Sequence, residues 1–196
     1  MQSNAPFKLG FVGGGNMATA MIVGLKHQQF EMQQIQDIEM DAEKRANLSS
    51  AFGVNTSSSL QDIAHNDVII LAIKPQQLQS LAQSLAPLLN NQLVISIAAG
   101  IRLVDLSRWL GNYHSIVRAM PNTPAQIQAG ITGVYANREV TTIQKQQATQ
   151  ILDAIGETIW ISLEEDLDAV TAISGSGPAY VFYLIEALQA AAVALG

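Results

Sequence analysis

Short apolar runs alternate with amphipathic stretches along most of this chain, which is the pattern of a parallel sheet covered by helices on both faces. Strands are expected at Phe7 to Val12, Gln34 to Glu39, Val68 to Ala72, Leu93 to Ile97 and Ser115 to Arg118. Between them, Met17 to Lys26, Gln76 to Leu89 and Leu103 to Leu110 have helical spacing, and Asp41 is placed to cap a helix running to about Phe52. After Gly130 a strand at Ile131 to Tyr135, a helix from Thr142 to Ile155 and a strand at Thr158 to Ile161 follow. The alternation then stops. From Asp166 onward the chain reads as helix, interrupted by SGSGP at 174 to 178, and its last stretch, AYVFYLIEALQAAAVALG, is apolar almost all round and calls for burial on several sides. The expected fold is α/β, a Rossmann-type doubly wound, mostly parallel sheet over residues 1–163, followed from 164 to 196 by the beginning of an all-helical domain.

The chain has 196 residues, 48% of them hydrophobic, enough for a good core. With a net charge of -6 and no basic cluster, it offers no footprint for nucleic acid. It has no cysteine, which excludes disulfides, thiolate metal sites and cysteine nucleophiles. The start, MQSNAPFK, lacks the apolar core of a signal peptide, and no apolar run reaches the roughly 18 residues of a membrane span. A cytoplasmic protein without membrane partners is expected. His27, His65 and His114 stand in no ligand-like spacing, so no metal site is expected, and Trp109 and Trp160 read as core.

Within LGFVGGGNMATAMIVGL, Gly13-x-Gly15-x-x-Ala18 fits the dinucleotide-binding fingerprint. In that motif the first glycine makes the tight turn, the second admits pyrophosphate to the backbone, and the small third residue lets helix and strand pack closely. Gly14, Asn16 and Met17 complete the loop, and the helix start supplies N–H groups to phosphates. Glu39, about 20 positions after Ala18 as in NAD-binding members of the fold class, is placed to accept from the adenosine ribose hydroxyls and to repel a 2′-phosphate. Lys44 and Arg45 stand nearby and can reach a phosphate, so NADH and NADPH both stay open as coenzymes.

Three segments fall at the carboxyl ends of strands, where this architecture puts ligand-facing loops. Lys74 and Pro75 end one strand, Ala98, Ala99 and Gly100 the next, and Arg118 to Pro124, containing Asn122, a third. Lys74 is either a solvated lysine or a ligand; the small residues 98–100 suit a flat ring or an ordinary turn; the prolines around Asn122 make a rigid loop whose amide can hold a carboxamide or close the turn on itself.

The succession GFVGGGNMA, AIKPQ, SIAAGI, RAMPNTPA and AVTAISGSGPAYVFYLIEAL closely resembles pyrroline-5-carboxylate reductase. The resemblance implies reduction of 1-pyrroline-5-carboxylate to L-proline with NADPH or NADH, and a helical domain through which subunits form dimers, often decamers. It further implies Gly13 to Ala18 for pyrophosphate, Glu39 and Ser59 for the adenosine side, Lys74, Pro75 and Ala98 to Gly100 along the coenzyme, and Asn122 near the nicotinamide. Ser174, Ser176 and Gly177 are candidates for approaching substrate, or else form a hinge. The family usually shows a small polar residue near the position of Glu39, and it continues with further helices and a Ser-Pro-Gly-Gly-Thr-like signature that nothing here matches. A truncated chain, a fragment or a natural short form, with an unassigned catalytic proton donor, is therefore expected. Two other readings stay open. One is a dehydrogenase of the 3-hydroxyisobutyrate type, against which residues 163–196 contain no lysine; the other is a non-catalytic nucleotide-binding sensor or interaction module.

Overall fold

The computed structural model describes residues 7–196. Strand β1 (Leu9–Val12) is buried at every position, as expected of a strand in the middle of a doubly covered sheet. It runs into helix α1 (Asn16–His27), then β2 (Ile35–Ile38), α2 (Ala42–Phe52), β3 (Asn55–Ser57), β4 (Val68–Leu71), α3 (Pro75–Leu85) and β5 (Leu93–Ser96). Next come α4 (Leu103–Trp109), β6 (Ile116–Met120), β7 (Gly130–Ala136), α5 (Thr142–Leu152), β8 (Gly156–Trp160), α6 (Asp166–Val170) and α7 (Gly177–Leu195).

The eight strands form one sheet in the order β3-β2-β1-β4-β5-β6-β7-β8. All neighbours pair in parallel except β6 and β7, where Arg118 faces Tyr135 and Ala119 faces Val134 in antiparallel register. Because β1 has β2 on one side and β4 on the other, the chain reverses its direction of travel across the sheet there. The crevice beyond the carboxyl ends of β1 and β4 is thus the topological switch point.

Each face of the sheet carries its own core. On one, Phe11, Leu9 and Ile35 pack with Met21, Ile22 and Leu25 of α1, Leu48 of α2 and Ile151 of α5. On the other, Val12, Ile69, Leu71 and Val94 pack with Leu78, Ala82 and Leu85 of α3 and Leu106 of α4. The side-chain hydroxyl of Thr141 caps α5 through Gln144 N–H while the Gln144 side chain reaches back, and Asp41 caps α2 as the sequence suggested.

The C-terminal segment corrects one expectation. SGSGP does not interrupt the helix: α6 passes through a π-helical stretch at Thr171–Gly175 directly into α7, with the Ser176 N–H donating to Thr171 O at 2.9 Å, five residues back. Pro178 lies just beyond the π stretch, in the first turn of α7, and the Ala179 N–H reaches Ser176 O at 3.0 Å. The resulting helix, Asp166–Leu195, is by length and composition long and apolar enough to cross a membrane, which the sequence reading did not anticipate, and none of its most apolar stretch is buried.

Candidate functional site

The glycine loop divides its labour. Gly13 has φ +103, and a Cβ there would lie 2.8 Å from Ala72 O; one on Gly14 would lie 2.7 Å from a Leu48 methyl. Gly13 must therefore be glycine for the protein's own packing, whereas a side chain at Gly14 would have to displace the Leu48 methyl. A Cβ on Gly15 would meet nothing within 4 Å, so only this residue keeps its backbone open to the crevice. Gly15 is also the N-cap of α1, which has no side-chain cap and no acidic residue in its first turn. The leading N–H groups of Asn16, Met17 and Ala18 are thereby left for an anion.

From this loop a cleft of about 670 Å³ opens over the switch point, bordered by Gly13, Gly15, Glu39, Lys44, Ser58 and Lys74 among others. Two smaller recesses, of about 310 and 320 Å³, at the opposite, amino end of the sheet hold none of the motif residues. Lys74 is the N-cap of α3 and Pro75 its first residue, so the helix start fixes the lysine at the rim. Glu39 follows β2, and its carboxylate accepts from Gly14 N–H at 3.2 Å and Asp41 N–H at 3.0 Å. Arg45 Nη1 donates to the carbonyls of Glu39 and Met40 at 2.7 and 2.8 Å, which ties that cation to the backbone. Lys44 reaches the cleft.

Ser59 does not border the cleft. It stands at the N-cap position of a short 3-10 turn without capping it, its hydroxyl donating to Gln61 Oε1 at 2.7 Å, and the neighbouring Ser58 takes the rim position. Ser58 was missed because three consecutive serines give no signal of which one faces outward. Ala98 is buried with its N–H on Ser96 Oγ, Ala99 is exposed, and Gly100 turns the chain with φ +77 before α4.

Asn122 and Ser174 meet. The Asn122 carboxamide oxygen accepts from Ile131 N–H and its nitrogen donates to Ser174 Oγ, both at 3.0 Å. Ser176 and Gly177 begin α7 just beyond. Arg118, expected at a strand end, lies inside the longer β6 and is sealed from solvent. It pairs with Glu164 at 3.1 Å and Asp168 at 3.4 Å, while Arg102 reaches Asp168 at 2.6 Å. Glu164 also accepts from Leu103 N–H at 2.7 Å. This network fastens the start of the helical segment to β6 and to the loop after β5.

The residues present fit a dinucleotide: an uncapped helix N-terminus, one open glycine, a carboxylate at the end of β2 and cations at the rim. Residues 8–100 match the family model for NADP oxidoreductase, coenzyme F420-dependent. Fold and site define a Rossmann-type oxidoreductase that uses a nicotinamide coenzyme. Residues 164–196 match the model for pyrroline-5-carboxylate reductase dimerisation. The chain is 44% identical over 191 residues to pyrroline-5-carboxylate reductase of Pseudomonas aeruginosa, covering 96% of this chain and 70% of that one. With the Escherichia coli reductase it shares 41% identity over 189 residues, covering 95% and 70%. The chain belongs to the pyrroline-5-carboxylate reductase family.

Solved structures agree. The Coxiella burnetii pyrroline-5-carboxylate reductase superposes with a TM-score of 0.88 at 39% identity, covering 98% of this chain and 72% of that one. The Plasmodium falciparum pyrroline carboxylate reductase with NADP bound gives a TM-score of 0.84 at 32% identity, covering 97% and 70%. Prephenate dehydrogenase from A. aeolicus, at 16% identity and a TM-score of 0.74, shares the fold alone.

Proposed function

We propose that this chain reduces 1-pyrroline-5-carboxylate to L-proline, the closing step of proline biosynthesis. The single observation that carries the reading is the cleft over the switch point, with an open Gly15 and an uncapped α1, in a chain 44% identical to a named reductase. A bound nicotinamide supplies hydride to C5 of the cyclic imine. The work of the chain is to orient and to exclude water. The α1 N–H groups and Gly13 to Ala18 hold pyrophosphate; Glu39 faces the adenosine ribose, with Ser58 beside it; Lys74, Pro75 and residues 98–100 flank the coenzyme. Asn122, held by Ser174 and Ile131, shapes the nicotinamide end, and Ser174, Ser176 and Gly177 border the substrate. Because an iminium accepts hydride far better than a neutral imine, the site must keep the ring nitrogen protonated.

For the coenzyme, Glu39 favours NADH over NADPH, since a carboxylate already seated on the glycine loop opposes a 2′-phosphate. Residues 1–163 serve as the coenzyme unit, and the helical unit from 164 packs against a second copy as a homodimer or within a decamer. In that reading the exposed face of α7 meets protein rather than lipid, and the enzyme works in the cytoplasm, away from nucleic acid. The test is to titrate NADH and NADPH side by side by nicotinamide fluorescence and to follow pyrroline-5-carboxylate-dependent coenzyme oxidation. Saturable binding with proline formation supports the reading, and a folded sample that binds neither coenzyme overturns it. Glu39→Ser should shift the affinity ratio toward NADPH; an unchanged ratio removes Glu39 from this role.

A further inference from the structure

Among the described residues, Asp37 and Arg118 are the ionisable side chains sealed from solvent, and only Arg118 has partners. Both carboxyl oxygens of Asp37 lack a hydrogen-bond partner. A buried carboxyl left in that condition is costly and calls for an explanation. Asp37 sits in β2 between Phe11 of β1 and Thr56 of β3, two residues before Glu39. A Cβ on Gly14 would lie 3.2 Å from Asp37 Oδ1 and 3.5 Å from Glu39 Oε2, so both carboxyl groups lie against one residue of the glycine loop.

We propose that Asp37 is a specificity-determining positioning residue, which sets, through the charge it adds beneath Glu39, how strongly the adenosine side of the cleft refuses a 2′-phosphate. The proposal rests on the reading that Glu39 faces the adenosine ribose. With Asp37 protonated, the loop carries one negative charge; with Asp37 ionised it carries two in a region poorly screened by water. Burial first, and the charge of Glu39 second, push the Asp37 carboxyl up to about 7, so the change falls within the physiological range.

The other neighbours do not offset it. Phe11, Thr56 and Leu48 are not ionisable, and α1 has no acidic residue in its first turn. Of the charged groups on α2 and its cap, Arg45 is bound to two carbonyls, Asp41 accepts from the N–H groups of Glu43 and Lys44, and Lys44 borders the cleft. Binding of a 2′-phosphate therefore favours the protonated acid, whereas ribose hydroxyls on Glu39 leave it nearly unaffected. If the phosphate favours that form tenfold, NADPH gains about fivefold in affinity relative to NADH at pH 6 compared with pH 8.

The experiment measures NADH and NADPH dissociation constants at pH 6, 7 and 8 for the native chain, Asp37→Asn and Glu39→Ser. The 2′-phosphate's own ionisation acts alike on native chain and Asp37→Asn, so the difference between them isolates Asp37. The expected result is an NADPH-to-NADH ratio of dissociation constants that rises about fivefold more steeply with pH in the native chain. Equal slopes overturn the proposal. If Glu39→Ser shifts the ratio and Asp37→Asn does not alter its pH dependence, this proposal alone falls; if Glu39→Ser shifts nothing, the reading beneath it falls as well. Should Asp37→Asn not fold, carbon-13 carboxyl NMR of the native chain decides. An aspartate titrating near 7, and higher with NADP bound, supports the proposal, and aspartates confined to the ordinary range overturn it.

Discussion

Asn122 and Ser174, 52 positions apart in sequence, are joined by a 3.0 Å hydrogen bond between carboxamide and hydroxyl. The same carboxamide holds Ile131 N–H, so one side chain fastens the loop after β6 to β7 and to the π-helical stretch. Asn122→Ala gives up two bonds, one of them to the exposed Ile131 N–H that water can satisfy, and should cost about 1–2 kcal/mol, against about 1 kcal/mol or less for Ser174→Ala. Ser174→Ala should also leave coenzyme affinity within about twofold while lowering turnover. Urea denaturation with steady-state kinetics checks this, and a double-mutant cycle isolates the pair. Additive losses would mean the two groups act independently.

Gly13 and Gly15 should fail differently. Gly13→Ala forces a Cβ against Ala72 O at a positive φ and should cost about 1–3 kcal/mol of stability. Gly15→Ala should melt within about a degree or two of the native chain and lose coenzyme affinity at least tenfold, because its Cβ points into open cleft. Thermal melts paired with fluorescence titration separate the two effects.

Arg118 and Arg102 share Asp168 but differ in burial. Arg118→Ala leaves Glu164 without its buried cation and should cost about 3–5 kcal/mol. Arg102→Ala removes an exposed pair and should cost under about 1 kcal/mol. Chemical denaturation of both variants at two salt concentrations provides the check, with only the Arg102 effect diminishing in salt.

Asp37 makes stability depend on pH in a direction opposite to ordinary acid denaturation. Its carboxyl ionises near 3.8 when unfolded and at about 7 when folded, so the folded chain holds the extra proton between those values. Its contribution is thus full below about pH 4, declines as pH rises through 7 and is absent above it, a span on the order of 4 kcal/mol. Asp37→Asn should flatten the slope between pH 5 and 8 and raise the melting temperature at pH 8. A native chain whose stability rises over that range as steeply as the variant's would contradict the assignment.

The sequence makes the first half of the fold legible because its strands are buried on both faces and read as apolar runs, as Val68–Leu71 and Leu93–Ser96 do. β3 escaped notice because Asn55, Thr56 and Ser57 form a polar edge strand with no apolar signal. The antiparallel sense of β7 depends on the turn at Thr123–Ile127, which spacing does not encode. Glycines and proline at 174–178 suggest a break, yet the π turn absorbs them without losing the helix. The glycine loop, Glu39 and Lys74 were visible as a motif in order. Asp37 was not, since one aspartate in a strand says nothing about whether a partner waits for it.

The continuous helix from Asp166 to Leu195 is anchored at its base by Arg118, touches Asn122 through Ser174, and presents a wholly uncovered far end. Mechanically it is a single rod with the Asn122 contact near one extremity and an exposed apolar surface at the other, all of it within residues 164–196, which match the dimerisation model. A second subunit bound to that exposed surface would restrain the Ser174–Asn122 contact. Mass action then enters the order of the site itself: diluting the protein below its dissociation constant should loosen the loop around Asn122, so that specific activity, an intensive quantity, comes to depend on how much protein is in the tube.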